Sequence, residues 1–181
     1  PNNGNRIPCD GRENVENLLI EHCTLVNAPA GTAMEIGHEL NVESVRNIVF
    51  RDIDVLSIHG QGAAFSIHNF GQALVENIRY EDIRIEHCWD KFIDFHISRS
   101  RFSVGDITGR IRNVTLKNIN WLRADVNPGY TVSMMGGWSP EADISGIHLD
   151  NVCINGEPIT SLDELEVTTR YTTELEVVSG T

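Results

Sequence analysis

The chain has 181 residues, of which 40% are apolar and 22% charged, a composition typical of one globular domain with a sizeable core. Its formal net charge is −12, from 14 basic and 26 acidic residues, so neither nucleic acid nor a polyanionic ligand is expected as a partner. No run of about 18 apolar residues occurs, so no membrane-spanning helix and no membrane partner are predicted.

The first fourteen residues are polar and contain Gly4, Pro8 and Gly11, and we predict a loop there. After them an eleven-residue segment occurs five times, with starts 30, 30, 36 and 33 residues apart. Self-similarity at such a period indicates a solenoid of stacked coils. The five copies are residues 15–25, 45–55, 75–85, 111–121 and 144–154.

Inside each copy the apolar residues alternate with polar ones, as they do along a β-strand, and β-branched residues are frequent. The third position is Asn in four copies and Gly in the fifth, two residue types that tolerate the left-handed backbone region. We therefore predict a tight bend there, with asparagine side chains hydrogen-bonded from coil to coil. The eighth position holds turn-forming polar residues and predicts a second bend. The two columns are Asn17, Asn47, Asn77, Asn113 and Gly146, and His22, Asp52, Asp82, Asn118 and Asn151.

A second set of short alternating segments lies between the copies, at residues 33–37, 64–68, 92–96 and 131–135. Like strands of successive coils would stack into parallel sheets, with neighbouring strands about 4.8 Å apart. We predict that two columns of this set point into the core. They are Met34, Phe65, Ile93 and Val132, and Ile36, Ile67, Phe95 and Met134.

Residues 1–155 are thus predicted to form about five coils of an all-β parallel β-helix, each with about three short strands. Residues 156–181 leave the repeat and contain two ELEV segments, at 164–167 and 174–177. We predict capping strands or a tail there, because the end of a solenoid exposes an apolar cross-section. The first coil has no comparable cap, and we expect that a homo-oligomer could form through it.

The stretch GTAMEIGHELNVESVRNIVFRDIDV (residues 31–55) resembles a coil of the polygalacturonase-type glycoside hydrolases, which have a pectin-lyase-like, right-handed parallel β-helix. The segment GNRIPCDGRENVENLLIEHC (residues 4–23) is similar to the turn and strand before that coil. The resemblance covers residues 4–155 and keeps Gly31, Ile36, Gly37 and Glu39 of the family motif. It implies a secreted or periplasmic protein that acts on a polysaccharide by acid–base hydrolysis.

The catalytic aspartates of that family do not fall within this chain. In the register of the resemblance they lie at or before Pro1, so these coils are expected to be the C-terminal portion of a longer β-helix. In a register one coil later they fall on Gly31 and Thr32, which carry no carboxylate. Ser66 and His68 stand where the family has the Arg and Lys that bind galacturonate, so the resemblance implies a neutral polysaccharide or oligosaccharide as partner.

The outward residues of the second strand set carry chemistry of their own. Glu35 and Asp94 lie two coils apart, roughly 9–10 Å, near the upper end of the roughly 6.5–9.5 Å separation of carboxyl groups in inverting glycosidases. We weigh them as a catalytic pair against a sugar-contacting face without catalysis. Carboxylates, hydroxyls and imidazoles on a flat sheet can hydrogen-bond sugar hydroxyls. The candidate substrate-binding residues are Glu39, Ser66, His68, His96 and Trp138.

Two function classes stay open on the sequence: a glycoside hydrolase, and a non-catalytic glycan-binding or adhesin-like β-helix. No cofactor and no metal are predicted, although a metal site made of His68, His96 and a carboxylate is a weighed alternative. The four cysteines follow no metal-ligand spacing, and structural thiols are favoured over a disulfide.

Overall fold

The computed structural model describes residues 5–9, 13–27, 31–101, 103–124 and 132–180, without the side chains of residues 5, 6, 8, 9 and 39. This part of the chain is a parallel β-solenoid of about five turns without an α-helix, which confirms the predicted β-helix. Nor does it contain any helix long and apolar enough to cross a membrane.

Two sheets run along the solenoid, and we name them by their roles. The site sheet contains, in spatial order, β1 (Asn5–Cys9), β3 (Met34–Leu40), β5 (Ala63–Asn69), β7 (Lys91–Ile97), β9 (Ser133–Gly136) and β12 (Val167–Arg170). The scaffold sheet contains β2 (Val15–Asn27), β4 (Ser44–Ile58), β6 (Leu74–Ile85), β8 (Arg110–Trp121), β10 (Ile144–Ile154), the antiparallel β11 (Glu157–Pro158) and β13 (Thr172–Val178).

Each repeat copy lies in one strand of the scaffold sheet, bent at the two predicted positions. Asn17, Asn47, Asn77 and Asn113 all have φ between 52° and 59°, in the left-handed region. Their side-chain amides form a ladder, since each Nδ2 donates to the Oδ1 of the preceding coil at 2.9, 3.1 and 3.3 Å. At Gly146 the ladder ends, because a Cβ there would lie 2.7 Å from Asn113 Oδ1. The predicted coil-to-coil hydrogen bonds are therefore confirmed.

The second bend column is left-handed as well, with φ between 52° and 55° from His22 to Asn151. Its side chains also pair between coils: His22 Nδ1 lies 2.7 Å from Asp52 Oδ2, and Asn118 Nδ2 donates to Asp82 Oδ1 at 2.8 Å. Each coil therefore changes direction at the same two positions of the repeat.

The core lies between the two sheets and consists of the inward columns of both. Phe50 and Tyr80 are fully buried and stack with their ring centroids 5.1 Å apart. The described cysteines Cys23, Cys88 and Cys153 are free thiols, and Cys88 Sγ donates to the Lys91 carbonyl at 2.9 Å. A structural role of Cys88 fits this buried position.

Both ends of the chain differ from the simplest reading of the sequence. The predicted N-terminal loop is wrong for Asn5–Cys9, which pairs in parallel with β3 because Ile7 lies beside Ile36 and is only 8% exposed. At the other end, the first ELEV segment is divided between the end of a 3₁₀-helix, Leu162–Leu165, and the start of β12, and the second lies in β13. Strands β12 and β13 pair in parallel with β9 and β10 and so extend both sheets.

The predicted register of β9 is wrong by one residue. Ile93 and Phe95 face the core, and Phe95 pairs with Met135, which places Ser133 and Met135 inward. Val132 is 57% exposed, and Met134 lies beside Asp94 on the outer face. Ser133 can occupy the inward position because its hydroxyl accepts hydrogen bonds from the backbone N–H groups of Phe92 and Ile93, at 3.1 and 3.3 Å.

Strand β2 ends the scaffold sheet, and two of its leucines, Leu18 and Leu19, are 37% and 47% exposed. A homo-oligomer through this coil stays a prediction.

The asparagine ladder gives a test of the bends. Asn77→Gly removes two ladder hydrogen bonds but keeps the left-handed backbone accessible, and we expect it to lower the free energy of unfolding by about 1 kcal/mol. Asn77→Ala removes the same bonds and also forces a Cβ-bearing residue into the left-handed region, which adds about 1–2 kcal/mol. Urea denaturation of both variants measures the difference, and equal losses would contradict the strain argument.

Candidate functional site

The outer face of the site sheet brings side chains from three successive coils into line. Glu35 of β3 lies beside Ser66 of β5, and Ser66 lies beside Asp94 of β7. Two residues further along, His68 lies beside His96. Glu35, Ser66, His68 and Asp94 are between 0% and 7% exposed, so this part of the face is a buried polar cluster rather than a solvated surface.

The imidazole of His68 lies between the two carboxylates. Its Nδ1 is 3.2 Å from Glu35 Oε1, and its Nε2 is 3.2 Å from Asp94 Oδ2. Ser66 Oγ is 2.9 Å from the same Nε2. Because Nδ1 also contacts His38 Nε2, the ring nitrogens have hydrogen-bond partners in His38 and Ser66, and a protonated His68 forms an ion pair with each of the two carboxylates.

On the Glu35 side, two more groups converge on the carboxylate. The Thr32 hydroxyl donates to Glu35 Oε2 at 3.1 Å. His38 Nδ1 lies 3.1 Å from Glu35 Oε1, while His38 Nε2 lies 2.9 Å from His68 Nδ1. Glu35 Oε1, His68 Nδ1 and the ring of His38 therefore form a compact triangle.

On the Asp94 side, the partners are a second imidazole and an ammonium group. His96 Nδ1 lies 2.8 Å from Asp94 Oδ1, and Lys91 Nζ donates to Asp94 Oδ2 at 2.7 Å. Asp94 thus has contacts with three cationic or potentially cationic groups, His68 included.

Burial and the neighbouring charges shift the pKa values of this cluster in opposite directions. Burial raises the pKa of Glu35, but His68, His38 and Thr32 outweigh it, so the pKa lies below its ordinary value. Burial also raises the pKa of Asp94, yet the hydrogen bonds and charges of His68 and His96 bring it well below its ordinary range. For His68, burial lowers the pKa and the contacts with Asp94 and Glu35 raise it, with a net increase. These contacts favour the ionised carboxylates of Glu35 and Asp94 and the protonated form of His68.

Phe70 forms an apolar wall against the imidazoles. Its ring centroid lies 5.2 Å from that of His38, 5.6 Å from that of His68 and 5.2 Å from that of His96, and it is almost parallel to His68. Gly37 permits the close approach of β3 and β5 here, because a Cβ at this residue would lie 2.2 Å from the His68 carbonyl oxygen. Phe70 thus packs against all three imidazoles, while Gly37 lets β3 approach the backbone of His68 closely.

A cleft of about 410 Å³ opens beside this cluster. Glu35, His38, His68 and Asp94 form the part of its wall that carries the buried polar groups. The segments before β3, β5 and β7 and the first residue of β7 contribute the remainder, with Gly31, Thr32, Gln61, Gly62, Asp90 and Lys91. This volume falls within the roughly 300–1,000 Å³ typical of small-molecule pockets.

Next to the cleft, three rings from two turns of the solenoid lie together. The centroid of the Trp89 ring is 5.4 Å from that of His59 and 5.8 Å from that of His87. His59 follows β4, whereas His87 and Trp89 lie between β6 and β7, and the next residue, Asp90, lines the cleft. We call these three residues the aromatic cluster.

The structure brings most of the predicted site residues together, but not all of them. Glu35, Ser66, His68, Asp94 and His96 form the buried cluster described above. Trp138 follows β9, is 46% exposed, and is not among the described residues that line the cleft. The side chain of Glu39 lies outside the described residues.

Three contributors were not among the predicted site residues: His38, Lys91 and Thr32. Strict alternation from Glu35 would turn His38 towards the core, but Gly37 has φ 121° and interrupts the alternation. Lys91 begins β7 three residues before Asp94, a spacing that strand alternation places on opposite faces, so the pattern did not indicate their contact. Thr32 precedes β3, and nothing in its position indicated a contact with Glu35.

Neither a protein-family model, nor a curated protein, nor a solved structure matches the chain. The parallel β-helix that the resemblance implies is confirmed by the structure, whereas polygalacturonase-type ancestry stays a prediction.

The buried cluster predicts how stability depends on pH. Glu35 and Asp94 have lowered pKa values in the folded chain, so their contribution is complete above their ordinary values of 4.5 and 3.8 and is lost as the pH falls further. His68 has a raised pKa, so its contribution is complete below 6.5 and is lost as the pH rises through the folded value. We expect the free energy of unfolding of the metal-free chain to be highest between about pH 4.5 and 6.5.

Denaturant titrations from pH 3 to 9 measure this profile. His68→Gln should remove the decrease on the alkaline side. His148→Gln is the matched control, because His148 is exposed and contacts the exposed Glu176 at 2.9 Å. An alkaline decrease that persists in His68→Gln would show that another group causes it.

Proposed function

We propose that this chain is the glycan-binding part of a carbohydrate-active β-helix, with a neutral polysaccharide or oligosaccharide in the cleft beside the site sheet. The observation that carries the proposal is the row of carboxylate, imidazole and hydroxyl groups held along one wall of that cleft. Such groups can hydrogen-bond sugar hydroxyls, and their own mutual contacts fix them before a ligand arrives. A secreted or periplasmic location belongs to the same proposal.

Charge and shape support a neutral ligand. The chain carries a net charge of −12, and among the described residues Glu35, Asp90 and Asp94 line the cleft together with the basic Lys91 and His68. A uronic acid polymer would be repelled there, whereas hydroxyl-rich neutral sugars would not. The aromatic cluster offers ring faces beside the cleft, as sugar-binding sites commonly use.

Glycoside hydrolysis is a second candidate, and the observation that favours it is the burial of so many titratable groups in one cleft. In a carboxyl pair, one carboxyl group acts as the general acid and the other as the base or nucleophile. The shifts in pKa do not support these roles for Glu35 and Asp94. Because Glu35 and Asp94 both have lowered pKa values, neither is suited to hold the proton of a general acid. Burial lowers the pKa of His68, but its contacts with Asp94 and Glu35 raise it overall, so His68 is better suited than either carboxyl group to donate a proton.

Binding can be tested with two tryptophan variants. Neutral glucans, galactans and mannans are titrated against the chain, with polygalacturonate as the charged comparison. Trp89→Ala should weaken binding of the preferred neutral glycan about tenfold, equivalent to about 1.4 kcal/mol, through lost ring stacking. Trp138→Ala is the matched control, and we expect no change because Trp138 follows β9 and has no cleft-lining neighbour in the chain, whereas Trp89 directly precedes Asp90 of the cleft.

A loss confined to Trp138→Ala would place the glycan near the end of β9 and contradict the cleft. Preferred binding of polygalacturonate would contradict the neutral ligand. If none of the glycans binds, the proposal fails.

Hydrolysis has its own test. If the chain is a hydrolase, incubation with the glycan that it binds should release reducing ends, and Asp94→Asn should decrease the rate by at least about 100-fold, because it removes the carboxylate that orients and charges His68. Circular dichroism of this variant verifies its fold. Binding without any release of reducing ends in the parent chain would identify a binding protein instead.

A further inference from the structure

Three potential ligand atoms for a metal converge at the wall of the cleft: Glu35 Oε1, His68 Nδ1 and a ring nitrogen of His38. Glu35 Oε1 is 3.2 Å from His68 Nδ1 and 3.1 Å from His38 Nδ1, and His68 Nδ1 is 2.9 Å from His38 Nε2. Tetrahedral zinc with bonds of about 2.1 Å separates its ligand atoms by about 3.4 Å. One ligand atom from each of the three residues lies within 4.8 Å of the other two. The two contacts of His38 use different ring nitrogens, so a rotation of this ring, with small shifts of its neighbours, would accommodate an ion.

The groups behind these atoms are arranged as they are in metal sites. Metal-binding histidines almost always donate their second ring N–H to a carboxylate or carbonyl, which fixes the tautomer and the ring orientation. His68 Nε2 faces Asp94 Oδ2 at 3.2 Å, and Asp94 is held in turn by His96 and Lys91. The Thr32 hydroxyl binds Glu35 Oε2 and leaves Oε1 directed to the triangle.

The remaining coordination position would face the cleft. Glu35, His38 and His68 all line it, and the His38 side chain is 28% exposed, so an ion could enter from this side. Three protein ligands with one open position are the arrangement of catalytic zinc sites, whereas structural sites use four.

A second group of potential ligands, His68, Asp94 and His96, is less suitable for a cation. Lys91 Nζ lies 2.7 Å from Asp94 Oδ2, the oxygen that faces His68, so its positive charge already occupies the approach to this group.

We propose that Glu35, His38 and His68 bind a divalent transition-metal ion of the zinc class at the wall of the cleft. Two imidazoles with one carboxylate suit zinc and its first-row neighbours, while calcium and magnesium prefer oxygen ligands. The ion would replace a proton on Nδ1 of His68, the nitrogen that faces Glu35 and His38. Asp94 would be a positioning residue, because it faces the other ring nitrogen of His68. The proposal does not depend on glycan binding.

The experiment is a calorimetric titration of the chelator-treated chain with Zn²⁺ alone, repeated with Ca²⁺, together with the visible absorption of the Co²⁺ complex. We expect one Zn²⁺ per chain and a tetrahedral Co²⁺ spectrum, with no response to Ca²⁺. His38→Ala should weaken Zn²⁺ binding at least about 100-fold, and Asp94→Asn about 10–100-fold, as expected for a partner behind the ligand. His38→Gln serves as a second variant if His38→Ala does not fold.

His22→Ala is the matched control, because His22 is exposed and lies 2.7 Å from Asp52 on the scaffold sheet. An equal loss in His22→Ala would mean surface binding, and a loss in His96→Ala without one in His38→Ala would assign the other group of ligands; either result overturns the proposal. Binding of Ca²⁺ alone, or of no ion, does the same. Because no glycan is present, the result leaves the proposed glycan function to its own test.

Discussion

Every coil of this solenoid must turn at the same two points, and the left-handed bend columns impose that constraint. A slip of one residue between strands would move every side chain to the opposite face. The asparagine ladder and the second bend column hold the coils in register through backbone conformation and side-chain hydrogen bonds together. The alignment of Glu35, Ser66 and Asp94 in three successive strands follows from this register.

The buried charges are stable only because they are aligned in this way. Removing an ion from water costs several kcal/mol, and the cost is offset only where opposite charges and hydrogen bonds meet with good geometry. Here His68 contacts a carboxylate on each side, and Asp94 has the additional contacts of His96 and Lys91. Because burying these charges costs free energy, their position beside an open cleft favours a functional site over a stabilising role.

The sequence predicts the coils well because their signals are local and repeated. Apolar alternation and the two bend positions recur in all five copies, so each copy supports the others. The register of β9 is not predictable in this way, because Ser133 faces the core only through hydrogen bonds to the backbone of β7. A similar limit applies to β1, where one buried side chain, Ile7, outweighs Gly and Pro residues that indicate a loop.

The candidate site is predictable in its membership but not in its chemistry. The alternation of side chains places Glu35, His68 and Asp94 on the outer face, and from this position we would expect them to be exposed to solvent. They are buried instead. Burial depends on Phe70 and on the close approach at Gly37, neither of which follows from the period of the strands. His38 reaches Glu35 only because the backbone at Gly37 interrupts the alternation of side chains along β3. The alternating pattern of the sequence does not predict this interruption.

The asparagine ladder has a direction as well as a register. From Asn113 to Asn17, each amide N–H donates towards the preceding coil, so the side-chain dipoles are aligned head to tail along the solenoid axis. Reversing one interior amide would break the bonds on both sides of it, and the column must therefore reorient as a whole or not at all. The bend column of the scaffold sheet thus carries a small, fixed dipole, and the positive end of this dipole lies at the first coil.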